Sequence, residues 1–254
     1  MMIHTHTYNH YNHLVICGDI HGEFRTLMFN IKRLGIENSV IIVAGDCGIG
    51  FEKEMHYTQL YDKLAKTLKA TNNLLILVRG NHDDPAYFDG VKINFERMKC
   101  VPDYSLICAA GRRVLCIGGA TSVDRKHRQD AMWIDKLKNG KARPLYWENE
   151  AAVFNPQALK ELQNASIDTV VTHTCPSFCQ PISKAGIEGW LQQDAELSAD
   201  LNTERVEMDK IYNQLIVDKH PLRNWYYAHF HQSHTEFING ISFSLLDVME
   251  IKEV

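Results

Sequence analysis

The hydrophobic positions of the first hundred residues form short continuous runs that alternate with helical patterns. Apolar runs at residues 14–17, 40–44 and 74–78 predict buried strands, and apolar residues at helical spacing predict helices over 24–34 and 57–68. An alternation of strand, helix, strand, helix and strand is typical of parallel βαβ units. This part of the chain therefore predicts a parallel sheet with helices packed against it.

The remaining residues combine further strands and helices with one stretch that has no clear period. Strands are predicted at 105–109, 113–118, 168–172, 225–228, 234–238 and 241–246, the last two joined by a turn at Asn239-Gly240. Helices are predicted at 156–163, with Pro156 in the first helical position, and at 193–219. The aperiodic stretch 120–153 is interpreted as a long loop or insertion. We expect one domain over residues 1–254, with 120–153 and 184–219 as insertions or cap segments.

Composition and charge then narrow the class of protein. With 45% hydrophobic and 23% charged residues, the 254-residue chain can bury a sizeable core, and its net charge of −4 gives no basic surplus for nucleic-acid binding. No apolar run approaches the ~20 residues of a membrane span. The seven cysteines include no CxxC pair, which predicts free thiols in a reducing compartment. We therefore expect a cytoplasmic protein, and we interpret the polar segment from His4 to His13 as a disordered end.

Five short polar blocks carry the candidate chemistry. They are Gly18-Asp19-Ile20-His21-Gly22, Gly45-Asp46-Cys47-Gly48, Gly80-Asn81-His82-Asp83, Thr172-His173 and His229-Phe230-His231. Four of them end a predicted strand, where open α/β sheets build their sites. Each block alone has an ordinary structural interpretation, such as a turn aspartate or a surface histidine. Together they supply carboxylate, amide and imidazole donors enough for two cations, and these donors suit Mn, Fe or Zn better than Mg or Ca.

The order of the blocks resembles the calcineurin-like metallophosphoesterase superfamily, whose pattern is Asp-x-His, Gly-Asp, Gly-Asn-His-Asp/Glu, His and Gly-His-x-His. Residues 118–128 are similar to a segment of its small bacterial and phage-type members. The resemblance extends from Asp19 to His231. It implies an α/β fold, a four-layer α/β/β/α sandwich with two central mixed sheets flanked by helices. It also implies a hydrolase of phosphomonoester or phosphodiester bonds that uses two divalent or trivalent transition-metal ions.

The resemblance also assigns roles to individual residues. It implies that one metal is held by Asp19, His21 and His231 and the other by Asn81, His173 and His229, with Asp46 bridging the two. It implies that His82 faces the substrate, where it stabilises a phosphoryl oxygen or protonates the leaving group. Two such cations would polarise the phosphoryl group and activate a water molecule as the attacking hydroxide.

One departure from the family pattern bears on the substrate. Phosphoprotein phosphatases of the superfamily carry Gly-Asp-x-x-Asp-Arg, and this chain has Ile49 and Gly50 in the last two positions. The aspartate that orients the catalytic histidine is therefore missing, unless Asp83 or a distant carboxylate replaces it. This favours a small phosphorylated molecule or nucleotide as substrate. A phosphoprotein phosphatase and a catalytically silent metal-binding scaffold stay as alternatives, and the intact donor set argues against the scaffold.

Three arginines are candidate substrate-binding residues. Arg79 precedes the Asn81 block, and Arg125 and Arg128 belong to a cluster of positive charges. A guanidinium group can hold a phosphate through a forked pair of hydrogen bonds. The alternative for each is a solvated position at a strand end or in a charged loop.

Overall fold

The structure is a computed structural model that describes residues 4–254. Its strands are β1 (Thr5–Tyr8), β2 (His13–Cys17), β3 (Ser39–Ala44), β4 (Leu74–Val78), β5 (Met98–Cys100), β6 (Ser105–Ala109), β7 (Arg112–Ile117), β8 (Thr169–Thr172), β9 (Asn224–Tyr227), β10 (His234–Ile238), β11 (Ile241–Leu245) and β12 (Ile251–Glu253). Its α-helices are α1 (Phe24–Arg33), α2 (Glu54–Ala70), α3 (Arg125–Asn139), α4 (Pro156–Leu162), α5 (Glu188–Leu191) and α6 (Leu197–Val217). A short 3-10 helix covers Pro85–Tyr87.

The strands form two mixed sheets. The five-stranded sheet has the order β12-β2-β3-β4-β5, in which β2 to β5 run parallel and β12 is antiparallel to β2. Strands β3 and β4 are fully buried, which is why their sequences are continuous apolar runs rather than alternating ones. The seven-stranded sheet has the order β1-β6-β7-β8-β9-β11-β10 and combines parallel and antiparallel pairs.

The apolar side chains lie in three layers that define the stacking of the elements. A central layer joins the two sheets, where Ile42 and Ile76 of the first face the cluster of Val114 and Val171 of the second. The outer face of the five-stranded sheet packs against α1 and α2, and the outer face of the seven-stranded sheet packs against α4 and α6. The predicted four-layer α/β/β/α sandwich with two mixed sheets is therefore confirmed.

Local sequence explains the helices that enclose the sheets. In α1, Phe24, Leu27, Met28 and Ile31 are buried at helical spacing, so one face of the helix covers the sheet. Helix α4 begins with Pro156, and the Asn155 side chain accepts a hydrogen bond from the Ala158 amide. Among residues 4–254, no helix combines the length and the hydropathy that crossing a membrane requires.

Two expectations about the less regular segments were wrong. The segment from His4 to His13 is not a disordered end, since β1 pairs in parallel with β6 at the edge of the seven-stranded sheet. The stretch 120–153 is not a long loop throughout, since it contains the fifteen-residue helix α3. Pairing with β6 orders the segment from His4 to His13. Ion pairs of Arg125 hold the helix in the stretch 120–153.

Candidate metal centre

The site lies where strands of both sheets end. Asp19 and His21 follow β2, Asp46 follows β3, and Asn81 and His82 follow β4 of the five-stranded sheet. His173 follows β8, and His229 and His231 follow β9 of the seven-stranded sheet. The five polar blocks of the sequence therefore converge at one edge of the sandwich, the edge formed by the carboxyl ends of these strands.

The backbone at this edge has an uncommon conformation. His21, Asp46, His229 and His231 all have positive φ angles, of 45°, 46°, 71° and 53°. Non-glycine residues rarely adopt this left-handed conformation, which costs of order 1–3 kcal/mol each and concentrates at functional sites. The surrounding fold thus stabilises a strained loop geometry that directs these side chains toward one another.

Two glycines allow the close approach of the blocks. A Cβ atom at Gly45 would overlap the imidazole of His173, and one at Gly80 would overlap the carboxylate of Asp46. These two glycines are therefore required by packing at the site.

One group of donor atoms joins Asp19, His21, Asp46 and His231. One ligand atom from each lies within 4.8 Å of all the others. The Nε2 atoms of His21 and His231 are 3.1 Å apart, and His231 Nε2 is 3.0 Å from Asp19 Oδ2. Asp19 Oδ2 is nevertheless buried and has no hydrogen-bond partner. Two facing imidazole nitrogens beside an unsatisfied carboxylate oxygen are a donor set that fits a transition-metal cation.

A second group of donors joins Asp46 to Asn81, His173 and His229. His173 Nε2 lies 3.2 Å from Asp46 Oδ1 and 3.0 Å from Asn81 Oδ1. The rings of His173 and His229 are 5.0 Å apart, and His229 Nδ1 is buried without a hydrogen-bond partner. Asp46 thus directs Oδ1 toward this group and Oδ2 toward His21, 3.8 Å from its Nδ1. Its carboxylate therefore lies between the two groups.

Residues behind the second group fix the orientation of its donors. His173 Nδ1 lies 2.8 Å from the carbonyl oxygen of Ala44, which leaves Nε2 directed at the site. The Asn81 side-chain amide donates to Ser122 Oγ, so its oxygen faces His173. Ser122 in turn donates through its amide and hydroxyl to the buried carboxylate of Glu150, at 2.6 and 2.7 Å. A line of hydrogen bonds from Glu150 through Ser122 therefore orients Asn81.

The electrostatics of the site show a concentration of negative charge. Burial lowers the pKa of His173, but the carboxylates of Asp46 and Asp19 outweigh it and raise that pKa to about 9. Burial likewise raises the pKa of Asp46, and the neighbouring His173 and His82 reverse this, so that the pKa lies well below 3.8. These shifts reflect buried carboxylate charge at the imidazoles, which a metal cation would neutralise.

His82 lies beside the donor groups with an arginine as its neighbour. Its backbone amide donates to Asp46 Oδ1 at 2.8 Å, and its ring contacts the guanidinium of Arg128. Asp124 accepts from Arg128 Nε at 2.9 Å and holds it there. Burial and, to a smaller extent, Arg128 lower the pKa of His82 to about 4 against the opposing effect of Asp46. At neutral pH the imidazole therefore accepts a hydrogen bond from Arg128.

Asp83 does not take the place of the missing aspartate. Its buried carboxylate accepts hydrogen bonds from the backbone amides of Cys47, Ile49 and Gly80, at 3.0, 2.8 and 2.7 Å. Burial, and then the nearby Asp46, raise its pKa to about 7. Asp83 thus links two loops of the site through hydrogen bonds to their backbone amides. The side chain that forms a hydrogen bond with the His82 ring is that of Arg128.

The other two arginines predicted at the site are engaged elsewhere. Arg79 is buried and donates to Asp103 and to the carbonyl oxygens of Glu150 and Ala151. Arg125 pairs with Asp194 and Asp200, both at 2.6 Å. The structure therefore brings Arg128 to the donor groups and directs the guanidinium groups of Arg79 and Arg125 into these contacts.

Lys184 is a residue that sequence reasoning missed. Its ammonium donates to the carbonyl oxygen of His229 at 2.8 Å, and burial lowers its pKa. It stands in a segment with no recognisable motif, between β8 and α5. Only its charge could have suggested a role, and many lysines of the chain share that property.

Cavities open on both sides of the donor groups. On the side of His21 and His82, a cavity of about 450 Å³ is bounded by Phe51, Tyr57 and Leu60. On the side of His229, a cavity of about 280 Å³ is bounded by Ile187, Leu201, Phe230 and Lys184. We call these the His82 cavity and the His229 cavity.

Comparison with known proteins adds a family match. The family described as calcineurin-like phosphoesterase matches residues 13–235, which include every donor residue named above. No curated protein sequence matches the chain.

Several solved structures are similar over most of their length at low identity. A phosphopantetheinyl hydrolase from Mycobacterium tuberculosis is 13% identical, with 97% of both chains covered and a TM-score of 0.43. A dimetal phosphatase from Danio rerio is 10% identical, with 95% of this chain and 88% of that chain covered and a TM-score of 0.48. A protein serine/threonine phosphatase from Saccharomyces cerevisiae is 15% identical, with 96% and 70% covered and a TM-score of 0.37.

Proposed function

The chain belongs to the calcineurin-like phosphoesterase family, and from this premise we propose that it hydrolyses an ester bond of a small phosphorylated molecule or nucleotide. The family makes it a metal-dependent hydrolase of phosphoester bonds. The proposal adds the kind of substrate and the residues that perform the reaction.

The observation that carries the proposal is the convergence of six donor residues around the carboxylate of Asp46. We assign Asp19, His21 and His231 to one metal ion and Asn81, His173 and His229 to a second, with Asp46 shared. Asp19 Oδ2 and His229 Nδ1 support this assignment, because both atoms are buried without hydrogen-bond partners. When bound, two transition-metal ions such as Mn, Fe or Zn would neutralise phosphoryl charge and make a water molecule more acidic.

The remaining residues of the site bind and orient the phosphoryl group. Arg128 is held by Asp124 against His82, so its guanidinium can donate to a phosphoryl oxygen that lies beside them. His82 is the second donor or acceptor at this position. Lys184 approaches from the opposite side, beside His229, and adds a positive charge near the substrate.

The surroundings of the site favour a small substrate over a phosphoprotein. Arg128 belongs to α3, and Lys184 belongs to the segment before α5, so two inserted segments border the donor groups. The two cavities of about 450 and 280 Å³ are of a size for parts of a small molecule. Ile49 is buried where phosphoprotein phosphatases have the orienting aspartate. A cytoplasmic location is part of the proposal, supported by seven cysteines that are all free thiols.

The test of this proposal measures hydrolysis of p-nitrophenyl phosphate and its bis ester by Mn-loaded protein. We expect turnover of at least one ester, and a loss of at least a hundredfold in Asp46→Asn, because the shared carboxylate is removed. Asp62→Asn, the same change at an exposed position of α2, is the matched control and should retain activity.

Two results would contradict the proposal. Failure to bind Mn would reject the metal assignment. Binding of two Mn ions without turnover of either ester would favour the silent scaffold.

A further inference from the structure

The two cavities share no lining residue and adjoin different histidines of the donor groups. Asp46 Oδ2 lies 3.8 Å from His21 and 4.0 Å from His82, and these two histidines line the His82 cavity. Asp46 Oδ1 lies 3.2 Å from His173, whose ring meets that of His229 edge-on, and His229 lines the His229 cavity. A phosphorus atom placed at the donor groups therefore has two separate cavities beside it.

A phosphomonoester would leave one of these cavities unused. Its phosphorus carries a single ester group, the leaving group, whereas a phosphodiester carries two. The His82 imidazole lies beside Asp46 and can pass a proton from water to a leaving oxygen, so the leaving group is placed on its side. The His229 cavity is then available for the ester group that remains on phosphorus after the reaction.

The chemistry of the His229 cavity indicates what kind of group it accepts. Its walls include the apolar side chains of Ile187, Leu191, Leu201 and Phe230. Its two buried charged residues are engaged, because Glu204 accepts from Thr174 and Thr121, and Arg205 donates to the carbonyl oxygens of Cys179 and Pro181. The volume of about 280 Å³ is just below the ~300–1,000 Å³ of sites for whole small molecules, which suits a single ester group.

Lys184 adds a positive charge to this cavity. It lines the same cavity, and its ammonium is fixed on the carbonyl oxygen of His229. A positive charge at this boundary suits the negative charge that a phosphodiester and its monoester product both carry. The cavity thus offers an apolar interior with a cation at the side of the donor groups.

We propose that the chain is a phosphodiesterase, in which the His229 cavity binds an apolar or aromatic ester group that stays on phosphorus. This inference rests on the proposed function. In the reaction a bond forms between phosphorus and a water oxygen, and the bond to the leaving oxygen on the His82 side breaks. One water proton goes to the leaving alcohol and the other to solvent, and the product is a phosphomonoester.

The experiment compares three substrates that share one leaving group. They are p-nitrophenyl phosphate, methyl p-nitrophenyl phosphate and phenyl p-nitrophenyl phosphate, assayed with Mn-loaded protein. We expect kcat/KM to be at least tenfold higher for the phenyl diester than for the methyl diester, and higher for either diester than for the monoester. Equal values for the two diesters, or preference for the monoester, would overturn the inference while leaving the proposed function intact. No turnover of any of the three would reject both.

A substitution in the cavity wall tests whether the preference for the phenyl diester depends on the His229 cavity. Leu201→Trp narrows the His229 cavity from α6, and it should lower the phenyl-to-methyl ratio of kcat/KM at least tenfold. Val206→Trp, on the same helix but not in the cavity wall, should leave the ratio unchanged.

A binding measurement is independent of turnover. Phenylphosphonate, which has a C–P bond that this reaction does not break, should bind at least tenfold more tightly than methylphosphonate by calorimetry. Leu201→Trp should remove that difference, and a difference that persists in the variant would place the phenyl group elsewhere and overturn the inference.

Discussion

Ser122 shows how a residue outside the donor set controls it. It accepts from the Asn81 amide and donates to Glu150, so the amide oxygen of Asn81 stays turned toward His173. Without this contact the amide can rotate and present its NH₂ group instead. Loss of such an outer hydrogen bond typically costs 10–100-fold in metal affinity.

We therefore expect Ser122→Ala to weaken Mn binding roughly 10–100-fold, measured by competition with a chromophoric chelator. Ser242→Ala, in β11 and away from the site, is the control and should bind Mn like the native protein. A Ser122→Ala protein with native Mn affinity would show that Asn81 needs no such support.

The meeting of the polar blocks at one edge of the sandwich could be predicted from the sequence, and the residues that support them could not. Asp19, Asp46 and His173 each follow a buried strand, so their meeting at one edge is a consequence of strand pattern and order. Ser122, Glu150 and Lys184 reach the site from segments without periodicity. Their positions depend on packing between distant parts of the chain, which no local pattern encodes.

Helix α3 is an element held by ion pairs rather than by an apolar face. Only Arg128 of this helix is buried, while Trp133 and Leu137 are exposed. Arg125 pairs with Asp194 and Asp200 at 2.6 Å, and its side chain is 13% exposed. The absence of a core-facing stripe explains why the sequence predicted a loop here.

We expect Arg125→Ala to increase amide hydrogen exchange of α3 at least tenfold, because it breaks two ion pairs of a partly buried guanidinium group. Lys126→Ala is the matched control on the same helix, since the Lys126–Asp130 pair is exposed and such pairs contribute only about 0.3–0.5 kcal/mol. Equal exchange in the two variants would indicate that other contacts hold the helix.

Strand prediction succeeded where burial was complete and missed the edge strands β1, β5 and β12, although it identified the edge strand β10 beside its hairpin turn. Strands β2, β3 and β4 are apolar runs that the pattern identifies directly. Strand β1 is a polar segment at a sheet edge, with residues alternately exposed and half-buried. Its hydrogen-bond partner, β6, lies about a hundred residues away, and only that pairing makes it a strand.

The stability of the whole molecule should depend on pH through Glu150. Burial raises the pKa of this carboxyl from 4.5 to about 8, against the opposing hydrogen bonds from Ser122. Between these values the folded protein keeps a proton that the unfolded chain has lost. The contribution to stability is therefore complete below pH 4.5 and is lost as the pH rises toward 8.

We expect this loss to be at most about 1.4 kcal/mol per pH unit in the metal-free protein. Urea unfolding between pH values of about 5.5 and 8 measures it, and Glu150→Gln should flatten the dependence. Glu148→Gln, a neighbouring exposed glutamate, should retain the native slope. Parallel curves for the native protein and Glu150→Gln would contradict the assignment.

At the scale of the whole chain, the sandwich was predictable because its layers follow from strand and helix order together with the family resemblance. The extent of the domain, residues 1–254, stays a prediction, as does the role of 184–219 as a cap. Arg128 in the stretch 120–153 and Lys184 at the start of 184–219 border the site.

The pairing of β12 with β2 constrains how the chain is made. Ile251 lies opposite Cys17, so the five-stranded sheet gains this edge strand only after the long stretch of chain between them has been translated. Until then, a nascent chain on the ribosome presents the apolar edge of β2, which is open to pairing with other chains. Asp19 and His231 are likewise far apart in the chain, so these two candidate donors can meet only after the residues between them have been made. A cell that overproduces this protein should therefore depend on chaperones that shield the edge of β2 until β12 pairs with it.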